Sequence, residues 1–268
     1  TAKKETTGAA VIKHTRSVSG QQNRSQDVSP MRRPSERERF IDASDSPRLF
    51  SGIAARYDAM NRLMSLGRDR YWRKLAAAAL DLPDDGKVVD VGVGTGDMAL
   101  AIKERWPDTT VIGVDPTWAM MAYGRRKAGM EPVGVAQATG LRLPFPGQTF
   151  DGAVSAFVMR NVVDVPRALG EQRRVVRRGG RVACLEMSWP RTPVFGALFR
   201  FYFSDLMPRV TGLLTGQPAA YRYLPRSVER FETPEELKTT MERVGLRDVC
   251  CRKLALGAVT LHVGVRGD

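Results

Sequence analysis

The sequence predicts an α/β fold in which a mostly parallel sheet is covered by helices on both faces. Three observations lead to this prediction. Short strands alternate with amphipathic helices from residue 87 onward, the strands are apolar along their whole length, and the first strand runs into a glycine-rich turn followed by a helix. The length of 268 residues suits one such domain preceded by a tail.

The first 45 residues are predicted to form a disordered, basic extension. They are rich in Ser, Gln, Arg and Thr and show no sustained apolar period, so they cannot bury enough surface to offset the entropy lost on ordering. From Phe50 onward, apolar residues recur at helical spacing ahead of the basic segment 68–74. We therefore expect a domain over residues 46–268 that begins with a helical cap at 46–82.

The elements after the cap follow from the spacing of apolar residues. Runs of β-branched and apolar residues predict strands at 87–91, 110–114, 133–137, 151–157 and 181–187. Helical spacing predicts helices at 97–105, 117–127 and 165–177. Strands that alternate with helices in this way favour parallel neighbours in one sheet.

Charge and composition narrow the classes of partner. The net charge is +13, and residues 1–45 contribute only +3 of it, so the domain itself is basic. Either an anionic partner, such as a lipid surface or nucleic acid, or simply solvated arginines would explain this charge. Two histidines and three cysteines without a CxxC pair predict no metal site. Because no apolar run is long enough to span a bilayer, we expect a cytoplasmic protein that at most contacts the inner face of the membrane.

The most informative segment is residues 88–97, which read VVDVGVGTGD. Glycines at a strand-to-helix turn let a ligand approach main-chain N–H groups closely. A dinucleotide fingerprint would place a third glycine at position 97, where Asp97 would oppose a pyrophosphate. The ligand is therefore expected to lack phosphates. The predicted cofactor residues in the loop are Gly92, Gly94, Thr95 and Gly96.

Two further carboxylates favour an adenosyl ligand. Asp90, inside the first strand, favours a ligand with a cationic amino group. Asp115, nineteen residues after Gly96 at the end of the second strand, can accept hydrogen bonds from both ribose hydroxyls. A ribose without phosphate, an amino group and a sulfonium together indicate S-adenosylmethionine. Methyl transfer from this cofactor depends mainly on alignment of the reactants, which suits a chain with little acid–base machinery.

Several segments outside the glycine loop carry a family pattern. Residues 57–61 read YDAMN, with Ser65 and Trp72 following, and residues 174–188 run from RVVR through Gly-Gly to Glu and Ser. Together with LPFP at 143–146, this pattern resembles the ubiquinone/menaquinone biosynthesis C-methyltransferases over residues 48–266. The resemblance implies a Rossmann-like, seven-stranded sheet whose last two strands form an antiparallel hairpin. It also implies C-methylation of a polyprenylated quinol ring, such as demethylmenaquinol or the benzoquinol equivalent.

The resemblance also assigns catalytic candidates. Arg160 and Asn161 would hold the quinol oxygen and stabilise a developing phenolate, although a salt bridge that anchors the loop is the alternative for Arg160. Tyr57 would close over the cofactor. His262 would be a neighbour of the quinol, as would Tyr221 and Tyr223.

The chain departs from the family at several positions. Asp69 stands where the family usually has His, and Val158 where it has Gly. On the adenine side, Thr139 and Gly140 replace a segment that is usually acidic, and Ala156 replaces a usual Ser. A threonine hydroxyl can still bond the adenine amino group, but more weakly than a carboxylate. Thr139, Gly140 and Ala156 complete the predicted cofactor site.

The segment 190–230 is unusually apolar for a connection between sheet elements. It is expected near the acceptor, where it would line a prenyl channel or lie on a membrane; plain core helices are the alternative. Three other functions stay open: a methyltransferase with another lipid-like or small phenolic acceptor, an RNA-binding or RNA-modifying protein, and a non-catalytic relative. Because the clustered arginines lack interleaved aromatics, no nucleic acid is expected. A homodimer is left open.

Overall fold

A computed structural model describes residues 46–207, 209 and 218–267, with side chains described except at 46–55 and 218–223. The predicted extension at 1–45 lies outside the described residues, as does the middle of the apolar segment. The side chains of Tyr221 and Tyr223 lie outside them as well.

Two helices form the predicted cap, α1 (Ser46–Ser65) and α2 (Asp69–Ala79). The sheet strands are β1 (Lys87–Val91), β2 (Thr110–Asp115), β3 (Gly134–Gln137), β4 (Phe150–Ala156), β5 (Val176–Met187), β6 (Leu246–Leu254) and β7 (Val259–Arg266). The remaining helices are α3 (Asp97–Arg105), α4 (Trp118–Gly124), α5 (Val165–Val175), α6 (Pro193–Arg200), α7 (Pro218–Arg230) and α8 (Pro234–Arg243). A π-helical turn, Phe201–Leu206, continues α6, and 3-10 turns lie at Met159–Asn161 and Ala255–Gly257.

The seven strands form one sheet in the order β3-β2-β1-β4-β5-β7-β6. The first five are parallel, and β7 pairs antiparallel with both β5 and β6. The predicted Rossmann-like fold and its closing hairpin are confirmed. Between β1 and β4 the strand order reverses, which opens a crevice at their carboxyl ends.

Two apolar layers cover the sheet. On one face, β1 and β5 pack against α2 and α3 through Trp72, Ala76 and Ile102, among others. On the opposite face, Leu169 and Leu237 bring α5 and α8 onto the sheet. Helices on both faces explain why the strands are apolar along their whole length.

Two element bounds differ from the sequence prediction by three residues or more. β5 begins at Val176 rather than 181, because Val176 already pairs with Phe150 of β4. The helix predicted to reach residue 127 ends at Gly124, and Lys127 lies in the turn that follows, where its amide donates to the Gly124 carbonyl. That turn places Lys127 near the glycine loop.

Candidate functional site

A cavity of about 290 Å³ lies at the carboxyl ends of β1, β2 and β4, in the crevice where the strand order reverses. This is the position at which open α/β sheets bind ligands. The structure brings most of the predicted cofactor residues to this cavity. Those that line it are Gly92, Gly94, Asp115, Thr139, Gly140 and Ala156, and the catalytic candidates Tyr57 and Asn161 line it as well.

Gly92 begins the loop in a conformation that favours glycine, with φ of +77°. A Cβ atom there would lie 2.3 Å from a methyl of Val158, so the turn and the next cavity wall are in close contact. Val158 lines the same cavity. Its side chain therefore fills space directly beside the glycine loop.

Asp115 is held by the backbone around it. One carboxylate oxygen accepts the amide of Gly94 at 2.9 Å, and the other accepts the amide of Thr117 at 2.7 Å. Burial raises the pKa of Asp115, and these two N–H groups act against that rise. Each carboxylate oxygen keeps a further lone pair. The group can thus accept a pair of hydroxyls from a ligand in the cavity.

Thr139 lines the cavity together with Gly140, but its hydroxyl oxygen already accepts the amide of Leu141 at 3.3 Å. The hydroxyl keeps a proton to donate and one more lone pair. It can therefore still form a hydrogen bond with a ligand on this side of the cavity, either as a donor or as an acceptor.

The remaining predicted loop residues, Thr95 and Gly96, do not line the cavity and instead support the loop that does. Gly96 caps the start of α3, and the Thr95 hydroxyl donates to Asp58 on α1 at 2.6 Å. Asp97 forms an ion pair with Lys127 at 2.6 Å, and Lys127 also reaches Asp58 at 2.5 Å. Asp97 does not line the cavity, and its charge is matched by a lysine that no motif reveals, so its effect on the choice of ligand stays a prediction. We call Thr95, Asp58, Asp97 and Lys127 the α1 latch.

Asp90 is fully buried, one residue before the cavity-lining Val91. Neither of its side-chain oxygens has a hydrogen-bond partner from another side chain or from the backbone within bonding distance. Burial raises its pKa to about 7; Arg73 acts against this rise and Asp115 adds to it. Asp90 therefore lies beneath the cavity rather than in its wall, and its role toward a ligand stays a prediction.

A second cavity, of about 80 Å³, lies between α1, α2 and the apolar segment. Tyr57 and Phe157 line both cavities, so they form the partition between them. Phe157 has a φ of +62°, a conformation that non-glycine residues seldom adopt and that often marks functional sites. The apolar lining of the second cavity includes Met64, Trp72, Phe199, Phe203 and Leu224.

Arg160 lines this second cavity. Its guanidinium pairs with Glu186 of β5 at 2.5 Å, and both side chains are almost completely buried. The backbone N–H of Arg160 also donates to Glu186, at 3.3 Å, whereas its Nε atom has no partner. The anchoring salt bridge and a buried donor without a partner thus occur together. Glu186 lay in a family segment, but nothing in the sequence indicated its pairing with a residue 26 positions away.

Aromatic rings form the outer wall of the second cavity. Phe199 and Phe203 stack at 5.1 Å between ring centres, and Trp189 meets Phe199 edge-on at 5.6 Å. The outer side of the same helical segment is exposed and apolar. Val194, Leu198 and Phe201, one helical turn apart, are 85%, 62% and 57% exposed. We call these three residues the α6 stripe.

His262 is not brought to either cavity. It is fully buried on β7 opposite Cys184, and its Nε2 lies 2.9 Å from the carbonyl oxygen of Pro234. Burial lowers its pKa. Asn161 does lie in the first cavity, and its side-chain amide donates to the Phe157 carbonyl at 3.4 Å.

The part of the chain that the structure describes contains neither a metal-site cluster nor a membrane-spanning helix. No group of three or more His, Cys, Asp or Glu side chains among those residues is placed to hold a metal ion. None of the helices within the same residues has the length and apolar character needed to cross a membrane.

Comparison with known proteins gives consistent matches. A sequence model of the ubiE/COQ5 methyltransferase family matches residues 41–266. The demethylmenaquinone methyltransferase of Thermus thermophilus is 43% identical over 221 residues, which are 81% of this chain and 100% of that protein. The ubiquinone/menaquinone biosynthesis C-methyltransferase UbiE of Geobacter sulfurreducens is 42% identical over 224 residues, 82% of this chain and 87% of that one.

Solved structures share the fold at lower identity. A SAM-dependent methyltransferase of Thermotoga maritima, described as a possible histamine N-methyltransferase, has a TM-score of 0.59 and 22% identity, and the match covers 82% of this chain and 98% of that one. Human N-acetylserotonin methyltransferase in complex with SAM has a TM-score of 0.55 and 17% identity, covering 82% and 59%.

Proposed function

The chain belongs to the ubiE/COQ5 methyltransferase family, and we propose that it transfers the methyl group of S-adenosylmethionine to a ring carbon of a polyprenylated quinol. Demethylmenaquinol, or its benzoquinol equivalent, is the proposed acceptor. One observation carries the proposal: a cavity at the strand ends with Asp115 and Thr139 in its wall, and a second cavity with a buried arginine, share a single partition formed by Tyr57 and Phe157.

The residues of the first cavity fit the cofactor. The paired lone pairs of Asp115 suit a ribose diol, and Thr139 and Gly140 suit an adenine edge. The buried carboxylate of Asp90 leaves two oxygens without partners beneath the loop, which favours a cationic ligand above it. When bound, S-adenosylmethionine supplies an activated methyl group.

The second cavity fits the reacting ring. A quinol carbon becomes a good nucleophile only when the neighbouring hydroxyl loses its proton, so negative charge develops on that oxygen. The Arg160 guanidinium, fixed by Glu186, offers an unpartnered Nε donor in a buried setting, where such a donor stabilises charge most strongly. Asn161, on the same 3-10 turn, lies on the cofactor side of the partition.

The aromatic wall and the α6 stripe fit a prenyl chain and the membrane that contains it. The inner side, with Phe199 and Phe203, faces the second cavity, while the outer side exposes the stripe. Arg200 lies within the same segment, and Arg191, which also pairs with Glu235 at 3.6 Å, precedes it. Apolar side chains beside cations suit the surface of an anionic bilayer. We therefore include peripheral contact with an anionic membrane in the proposal.

The proposal is tested by transfer of radiolabelled methyl from S-adenosylmethionine to reduced short-chain demethylmenaquinol, with a demethoxy-benzoquinol analogue in parallel. Label in one quinol identifies the acceptor. Cofactor binding without transfer to either quinol would overturn the quinone assignment. A small phenolic acceptor assayed beside them tests the alternative substrate class.

Arg160→Lys is the matched variant for this assay. Removing the whole side chain would leave Glu186 buried and unpaired, which destabilises the fold itself. Lysine keeps the positive charge but lacks the planar set of donors. We expect slower methyl transfer with unchanged cofactor affinity, measured by calorimetry.

A further inference from the structure

The second cavity has another polar end besides Arg160. Asp69 and Arg73 lie one turn apart at the start of α2, and both line this cavity. Their side chains are only 4% and 7% exposed. The Arg73 Nη1 and the Asp69 Oδ2 atoms are 3.7 Å apart, which is too long for a hydrogen bond. The pair therefore attract each other without satisfying each other's bonding capacity.

Several polar atoms of this pair have no partner. Asp69 Oδ2 and both Nε and Nη1 of Arg73 are buried and make no hydrogen bond. The other carboxylate oxygen of Asp69 accepts the Ser65 hydroxyl at 2.9 Å, which fixes the orientation of the group. Native proteins rarely leave buried polar atoms unpaired, and exceptions call for a water or ligand that completes the set. The cavity is the space from which such a ligand would reach them.

C-methylation releases a proton, so the site needs a proton acceptor. Arg160 cannot serve, because a guanidinium stays protonated in proteins. Glu186 does not line the cavity, and its oxygens already accept Arg160 and the amide of Met187. Among the described residues that line this cavity, Asp69 is the carboxylate. Tyr57 is the competing titratable group on the cavity wall.

We propose that Asp69 accepts the proton of the quinol hydroxyl and that Arg73 holds its carboxylate in position. This inference rests on the proposed function. The O–H electron pair stays on oxygen as the proton moves to Asp69, the ring carbon forms the new bond to the methyl carbon, and the broken C–S electron pair stays on sulfur. The ring C–H proton then leaves to water, its electron pair restores the aromatic ring, and Asp69 returns its proton to the oxygen. One proton is released overall.

Substitutions at position 69 can separate proton transfer from structure. Aspartate and histidine side chains can both accept a proton. A neutral amide cannot. The position thus offers one substitution that removes the proposed chemistry, Asp69→Asn, and one that replaces it, Asp69→His.

The experiment measures kcat and KM for the quinol, and the cofactor Kd, in Asp69→Asn, Asp69→His and Asp69→Ala. We expect Asp69→Asn to lower kcat by about 10²–10⁴-fold while KM and Kd change little. Asp69→His should recover at least part of that loss. Added formate, which fits the space of the missing carboxylate, should accelerate Asp69→Ala but not Asp69→Asn. Asp84→Asn, at an exposed carboxylate after α2, is the control and should leave kcat unchanged.

Several outcomes would overturn the proposal. Asp69→Asn with kcat near the wild-type value does so, as does a loss that neither His nor formate restores, since it would mean a purely structural role. Loss in Tyr57→Phe with none in Asp69→Asn would move the proton acceptor to Tyr57. If Asp69→Asn does not fold, formate rescue of Asp69→Ala decides. A wild-type enzyme that binds the cofactor but methylates no quinol is a failure of the proposed function and is seen before any variant is made.

Discussion

The two cavities are built in different ways. The first cavity, which we propose binds the cofactor and call the cofactor side, is formed by strand ends and main-chain atoms: a glycine turn, and an aspartate held by two backbone amides. The second cavity, which we propose binds the quinol and call the acceptor side, is formed by helices and by buried side-chain charges. Its volume of about 80 Å³ is less than a third of the 290 Å³ of the first cavity. The cofactor cavity therefore depends on the backbone of the sheet, whereas the acceptor cavity depends on side chains from separate helices.

Breaking the buried Arg160–Glu186 ion pair of the acceptor side should have the largest effect on stability. Arg160→Met leaves Glu186 buried without a partner, so we expect the free energy of unfolding to fall by about 3–5 kcal/mol in urea denaturation. The double variant Arg160→Met/Glu186→Met should recover most of this loss. Equal losses in the single and double variants would show that the pair is not what stabilises this side.

Asp90, which lies beneath the cofactor cavity beside Arg73, should make stability depend on pH. Its pKa is about 7 in the folded protein and 3.8 as an isolated group, so between these values the folded state binds more protons than the unfolded state. The free energy of unfolding should therefore fall as pH rises from about 4 to about 7, by up to about 1.4 kcal/mol per pH unit, and then level off. The difference between wild type and Asp90→Asn, measured by urea unfolding at pH 5 and pH 8, isolates this contribution. An equal difference at both pH values would contradict it.

A methyl group at Gly92 tests how far the cofactor side depends on its backbone. Gly92→Ala combines a strained φ with a clash against Val158, so we expect a loss of about 1–3 kcal/mol in cofactor affinity by calorimetry. Gly67→Ala is the matched control, because Gly67 has nearly the same φ, +76°, and nothing within 4 Å of the added Cβ. Val158→Gly in the Gly92→Ala background should remove the clash and restore the part of the affinity that is lost to it. No recovery would mean that the backbone strain alone is responsible.

The smallest effect on stability is expected at the outer wall of the acceptor side. Leu198→Ser changes an exposed residue, so the free energy of unfolding should stay within about 0.5 kcal/mol. Sedimentation with anionic phosphatidylglycerol vesicles should nevertheless weaken, while Leu198→Met should bind like the wild type. Unchanged binding of Leu198→Ser would remove the α6 stripe from the proposed membrane contact.

The same contrast explains what the sequence could predict. The cofactor loop is contiguous, and a strand, glycines and a helix in that order have few alternative geometries. Its neighbours were also predictable, since Asp115 ends the next strand and parallel strands end at the same edge. Other features depend on side chains from segments far apart in the chain. Examples are the pairing of Arg160 with Glu186 and the presence of Asp69 and Phe203 in the wall of one cavity. No local pattern records such contacts.

His262 shows how a single residue of register decides a role. Its neighbours on β7, Val259 and Leu261, face the side of the sheet that carries α2 and α3. Alternation along the strand places His262 on the opposite face, against the start of α8 at Pro234. The resemblance placed His262 near the quinol, but the face on which it lies follows from the pairing with β5, which sequence alone does not provide.

The α1 latch connects the glycine loop to the helix that contributes Tyr57 to both cavity walls. Lys127 joins Asp58 on α1 to Asp97 at the glycine loop, and Tyr57, next to Asp58, belongs to both cavity walls. A ligand in either cavity then favours the same placement of α1. We expect positive cooperativity between the two ligands, seen as a lower Kd for the cofactor when a quinol is present. Reciprocity requires the quinol to gain affinity by the same factor, so the enzyme would hold its two reactants most tightly when both are bound.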